Sequence, residues 1–182
     1  MRRLVVVLLM ALGAATTSAG GTEQVGLLEL VNYYEYSPQL LSAGQPTRAQ
    51  FPAIRAAGVE AIINLAPVTD PGALADEQQV VTALGMAYVH IPVDWDHPPL
   101  ADLHSFLAAM QQFQGKRVLV HCYAGSRASA FVFVYRVRAL GAPPATARVT
   151  LESIWANNPG YELPVVPQWR QLLDDALRAQ RL

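Results

Sequence analysis

Arg117-Val118-Leu119-Val120-His121-Cys122-Tyr123-Ala124-Gly125-Ser126-Arg127-Ala128-Ser129 is the stretch that decides how this chain reads. Its first four residues form a β-type run that leads straight into His121-Cys122. From Arg127 to Leu140 the chain is apolar almost all round, through Phe131, Val132, Phe133, Val134 and Val137, and Gly141 ends the run. A helix of that kind is central and buried. The turn between strand and helix contains Gly125, which accepts the positive φ a tight loop needs. Consecutive N–H groups in such a loop point inward and form an anion nest. The helix below adds unpaired N–H groups and the positive end of its dipole. Arg127 can grip two oxygens of an oxyanion with its planar fork. The same positive surroundings favour a nucleophilic thiolate at Cys122. His121, Tyr123, Ala124, Gly125, Ser126 and Ser129 complete the loop. Ser129 is placed to donate to the thiolate, and His121 is read as an organiser of the loop backbone rather than a base.

Outward from the loop, short β-type runs alternate with helical patterns. Leu40-Leu41-Ser42 is a weak strand ending at Gly44-Gln45-Pro46. Thr47-Arg48-Ala49-Gln50 has the form of a capping box, although Pro52 argues for a later helix start; Gly58 stops that helix. Val59–Leu65 reads as a buried strand, Asp70-Pro71-Gly72 as a turn, and Leu74–Leu84 as a helix. Ala87–Val93 is the next strand and feeds the loop Asp94–Pro99. Leu100, Leu103, Phe106, Leu107, Met110 and Phe113 recur at helical spacing over 100–113. Two further helices are expected near 144–156 and 167–180, separated by Asn157-Asn158-Pro159-Gly160. The pattern predicts an α/β fold with a mostly parallel central sheet flanked by helices on both faces. Ligands then sit outside the carboxyl ends of the strands, where Cys122 and Asp94 share one rim.

Residues 1–19 read as a secretory signal: Arg2 and Arg3, an apolar run from Leu4 to Leu12, then small residues at Thr17-Ser18-Ala19. The run is shorter than the roughly 20 residues that cross a bilayer. Residues 20–37 are a polar lead-in, and 38–182 form one domain. The expected product is exported, periplasmic or secreted, with no membrane attachment after cleavage. Removing two arginines leaves 11 basic residues (13 − 2) against 14 acids, so the mature charge is about −3. Lys116 is the single lysine, which argues against nucleic-acid partners. An anion must therefore be caught locally. Cys122 is the only cysteine, which rules out an internal disulfide framework. His90 alternates with apolar neighbours as a satisfied sheet histidine, and His97 and His104 face solvent. No metal-ligand spacing is present, and no cofactor is implied. Trp155 and Trp169 fit helix-packing positions.

The loop resembles the His-Cys-x-x-Gly-x-x-Arg-Ser/Thr signature of cysteine-dependent protein phosphatases. The stretch from Gly44-Gln45-Pro46 through Ile91-Pro92-Val93-Asp94-Trp95 to His121-Cys122 and Arg136 is similar, more narrowly, to a bacterial phosphatase family of dual-specificity-like fold. It also resembles the phosphatase-like domain of β-lactamase hydrolase-like proteins. The resemblance covers roughly residues 38–180 and implies a cysteine-dependent phosphatase-like fold. It further implies phosphate-monoester hydrolysis, with a phosphorylated small molecule or phosphoprotein as substrate. Such enzymes carry a general acid on a separate loop. Asp94, 28 residues before Cys122, falls at that place and is preferred to Asp96. One departure stands out. Arg127 follows Cys122 by five residues, and Ala128 holds the sixth place where the broad signature has its arginine; the narrower family shares the short spacing. A Cys-x-x-Gly-x-Arg ring is also what a rhodanese-like sulfurtransferase uses, and a displaced arginine suits a catalytically silent phosphate binder. Both remain open at this point.

Overall fold

Two-residue alternation along the strands sets the architecture. The structure is a computed structural model and describes residues 26–179; the expected signal segment lies outside the described residues. The elements are β1 (Tyr34–Ser37), β2 (Leu40–Ala43), α1 (Phe51–Ala56), β3 (Ala61–Asn64), α2 (Glu77–Ala83), β4 (Ala87–His90), α3 (Leu100–Gln112), β5 (Val118–His121), α4 (Ser126–Arg138), α5 (Pro144–Ala156) and α6 (Pro167–Arg178). They form one sheet in the order β1-β2-β5-β3-β4. All neighbours are parallel except β1 and β2. The fold is therefore the mostly parallel α/β arrangement expected from the sequence.

β5 is the centre of the sheet, and successive side chains on it point to opposite faces. Val118 and Val120, with Ala61 and Ile63 of β3, pack against Phe106 of α3, Phe131 of α4, Trp155 of α5 and Trp169 of α6. Leu119, with Ile62 and Leu41, packs against Phe51 and Ile54 of α1 and Val81 of α2. The same alternation separates the next two residues. His121 lies in register with Asn64, on the α2 face, and Cys122 joins the larger core on the α4 face.

The lead-in is part of this body. Leu27 and Leu30 are buried in the α1/α2 core, and Tyr34–Ser37 adds β1 antiparallel to β2. Arg117 ties the hairpin down by donating to the Pro38 carbonyl at 2.5 Å and reaching Glu35. The expected polar lead-in over 20–37 is corrected accordingly for its described part. Two boundaries also shift. α2 begins at Glu77 because the chain is still turning there: Ala73 N–H bonds Asp70 O and Glu77 N–H bonds Leu74 O. The Thr47 N–H is accepted by Gln50 Oε1 at 2.9 Å, as a capping box requires, but it opens a 3-10 turn, and α1 starts after it at Phe51.

Candidate active site

Cys122 sits at the floor of a cleft of about 460 Å³ at the carboxyl rim of the sheet. Tyr123, Ala124, Ser126 and Arg127 line it from the loop, Asp70 and Trp95 from the rim, and Asn157, Asn158, Pro159 and Tyr161 from the far wall. Gly125 is the N-cap of α4 with φ +88°. Lacking a side chain, it leaves the first turn of α4 uncapped, so unpaired N–H groups remain there. Its own N–H donates to Cys122 Sγ at 3.2 Å. The two loop carbonyls before it are drawn outward: Tyr123 O accepts from Gln45 N–H at 2.9 Å, and Ala124 O from Asn32 Nδ2 at 2.8 Å.

Arg127 is at the second position of α4 and is buried. Its Nη1 donates to the carbonyls of Val93 (3.2 Å) and Leu65 (3.4 Å) beyond β4 and β3, and its Nη2 pairs with the Asp70 carboxylate. The guanidinium also lies 5.8 Å from the Trp95 ring. The short Cys-to-Arg spacing thus places the cation against the strand ends, where a carboxylate, two carbonyls and an aromatic face hold it.

Asp70 was read only as part of a turn, yet it is the carboxylate that enters the cleft wall. The signal available was positional: it follows β3 on the same rim that singled out Asp94. Asp94 itself is 63% exposed and outside that wall. Its Oδ1 accepts from the N–H groups of His97 (2.7 Å) and Asp96 (2.8 Å). The His97 amide above all, with the Asp96 amide, His97 and the Arg127 charge, holds its carboxyl below the usual range despite slight desolvation.

Behind the loop, His121 is fully buried and its Nε2 meets Glu77 Oε1 at 2.9 Å. Glu77 also accepts from Asn64 Nδ2 (2.9 Å) and Gln45 Nε2 (2.6 Å). Burial pushes the Glu77 carboxyl up, but the bonds from His121, Gln45 and Tyr88 and the His121 charge outweigh it, and the net shift is downward. His121 faces away from the cleft, as befits an organiser of the loop. Ser129 departs from expectation: its hydroxyl donates to Ser126 O (2.9 Å) and accepts from Trp155 Nε1 (3.1 Å). It braces α4 against α5 and does not bond the sulfur.

His90 is satisfied by Ala66 O at 2.7 Å, and His97 is exposed. Among the described residues no group of three or more His, Cys, Asp or Glu side chains is placed to hold a metal, and no helix is long and apolar enough to cross a membrane. Trp95 serves both core and cleft: it stacks on Trp155 at 5.7 Å, accepts Trp169 Nε1 at its carbonyl and meets Tyr161 edge-on.

The family described as DSP-PTPase phosphatase fused to NAD+ kinase matches residues 29–158, from the lead-in to the Asn157-Asn158 wall. The chain belongs to this phosphatase family. A DUF442 phosphatase-like protein of Shewanella putrefaciens CN-32 is 40% identical to it over 84% of this chain and 92% of that one, with a TM-score of 0.73. The β-lactamase hydrolase-like protein of Agrobacterium fabrum is 38% identical over 93 residues, half of this chain; the match spans 21% of that protein's length. P. aeruginosa TpbA, solved in complex with phosphotyrosine, shares the fold at 17% identity (TM-score 0.61, 79% of this chain and 83% of that one). The DSP-PTPase assignment bears out the resemblance read from the loop and its flanks and does not favour the sulfurtransferase alternative.

Proposed function

We propose that this DSP-PTPase family member is an exported hydrolase of phosphate monoesters that works through a thiophosphoryl enzyme. The observation that carries the reading is the Gly125 N–H donated to Cys122 Sγ beside the uncapped N-terminus of α4, in a cleft that Arg127 also lines. In the first step Cys122 Sγ attacks phosphorus. The bond to the leaving oxygen breaks, and that oxygen takes a proton from Asp94. The loop amides and Arg127 hold the equatorial oxygens where charge builds. In the second step water attacks phosphorus and gives its proton to Asp94, and the S–P bond breaks to return the thiolate and free phosphate. Asp94 is assigned as the acid by its place before the loop alone, since its exposed carboxyl lies outside the cleft wall and is held below the usual range, which favours the ionised form. Asp70, bonded to Arg127, sets the plane of the guanidinium.

The cleft walls suggest the substrate. Trp95, Tyr123 and Tyr161 offer aromatic surface, and among the described residues Arg127 is the one cation in the lining. This suits a single phosphate on an aryl or otherwise apolar group, free or on a protein, better than a polyphosphorylated molecule. Export is supported by the charged, apolar and small-residue order of residues 1–19. A periplasmic chain whose N-terminal sequence begins at residue 20 is expected; a cytoplasmic chain retaining Met1 would overturn this part.

The Asp70–Arg127 pair favours a second reading, a silent phosphate binder in which the arginine stays engaged. Hydrolysis of p-nitrophenyl phosphate by residues 20–182 under reducing conditions, with Cys122→Ser alongside, separates the two. Turnover that disappears in the variant establishes the hydrolase. Phosphate binding by both proteins without turnover in either establishes the binder.

A further inference from the structure

Asn32 lies 90 residues before Cys122 (122 − 32) in the segment that the sequence presents as a lead-in. Among the described residues it is the single non-glycine with positive φ, +49°. That backbone is costly for most side chains, and asparagine is among the few that tolerate it. The conformation turns the side chain onto the loop. Asn32 Nδ2 donates to Ala124 O at 2.8 Å, while Asn32 Oδ1 accepts from Asn157 Nδ2 at 2.9 Å. A side chain added at Gly125 would meet Asn32 Cβ at 3.1 Å, so the bare glycine is what lets Asn32 approach.

A trans peptide is planar, and its C=O and N–H point in opposite directions. The carbonyl held by Asn32 belongs to the Ala124–Gly125 peptide. The N–H of that same peptide is the one that donates to Cys122 Sγ at 3.2 Å. Pulling Ala124 O outward therefore turns Gly125 N–H inward, onto the sulfur. We infer that Asn32 is a positioning residue for the Cys122 thiolate, acting through the plane of the Ala124–Gly125 peptide. The inference rests on the reading of Cys122 as the nucleophile. Asn158 braces the neighbouring position by donating to Ser126 Oγ at 3.1 Å, so the N-terminal segment and the far wall of the cleft grip the loop from one side.

Two substitutions separate this role from simple stability. Asn32→Gly accepts the left-handed backbone without strain and removes only the side chain. Asn32→Asp keeps the shape but offers a carboxylate that cannot donate to Ala124 O. The readout is the rate of Cys122 alkylation by iodoacetamide at pH 6, beside the thermal midpoint and the kcat and KM for p-nitrophenyl phosphate. Asn32→Gly is expected to alkylate about tenfold more slowly, with a midpoint near the parent's and the loss in turnover carried by kcat. Asn32→Asp, if it folds, should be slower still. Parental alkylation by Asn32→Gly overturns the inference. So does a parent that resists alkylation altogether, since no reachable thiolate is then present to be positioned. Alkylation reads the sulfur directly. A parent that alkylates yet turns over no phosphate ester would defeat the hydrolase proposal and leave this one standing.

Discussion

β5 ends by sending His121 to one face of the sheet and Cys122 to the other, and the two faces finish in opposite conditions. On the α2 side, His121, Glu77, Asn64 and Gln45 form a buried chain in which Glu77 alone accepts three bonds. On the α4 side, Cys122 receives one amide bond and faces a cleft whose helix terminus has no cap. Bonds that converge on one buried carboxylate hold its partners in place, although His121 Nδ1 and Gln45 Oε1 stay unpartnered there, whereas unspent donors in a cleft are what a ligand can use. The rear network is thus a frame and the front a receptor. One strand supplies both because adjacent side chains on it diverge.

The frame should break most expensively. Glu77→Ala removes the partner of His121 Nε2 and leaves Asn64 Nδ2 and Gln45 Nε2 with only Tyr88 Oη and Pro46 O as acceptors, and a loss of about 3–5 kcal/mol is expected in urea unfolding. A loss under about 1 kcal/mol would mean that the rear network is not a frame. At the front, Arg127→Ala should cost ~10²–10³-fold in kcat/KM for an aryl phosphate, as for loss of a charge-stabilising donor, and should also lower the unfolding midpoint, because it strips Asp70 and the Leu65 and Val93 carbonyls of a buried partner.

The two rim aspartates come next. Asp94→Asn should slow hydrolysis of phenyl phosphate ~10²-fold and spare p-nitrophenyl phosphate, whose leaving group needs little protonation. Asp70→Asn should affect both esters alike, because it acts through Arg127. The reverse pattern would exchange their roles. The smallest effect concerns pH. Glu77 has its folded pKa below its ordinary value of 4.5. Its contribution is then complete above that value and is lost as pH falls through the folded one. The stability gap between the parent and Glu77→Gln should be constant from pH 7 to 5 and narrow below about 4, as measured by urea midpoints at pH 7, 5, 4 and 3.

Much of this was legible because it is written locally. The apolar run of α4, the alternation in β3 and β5, and a cysteine, glycine and arginine set between strand and helix are short-range patterns, and they located both the fold and the candidate loop. What escaped was long-range. β1 is four residues with no stripe of its own, and only its pairing with β2 makes it a strand. Ser129 looked free to serve the sulfur until Trp155, 26 residues later, claimed its hydroxyl. Asp70 meets Arg127 across 57 residues, and Asn32 meets Ala124 across 92. No periodicity encodes such meetings; the order of the strands does.

The hairpin also governs how the sheet ends. β1 is short, carries Glu35, shifts register between Glu35 and Ser37, and gives way to Pro38. Each of these discourages a neighbouring molecule from adding its own strand. Beneath it, β2 is buried at all four positions, with Leu40 and Leu41 at its start. A chain trimmed back to residue 38 would expose that apolar strand as an open edge, and its expected fate is self-association rather than a slightly poorer enzyme.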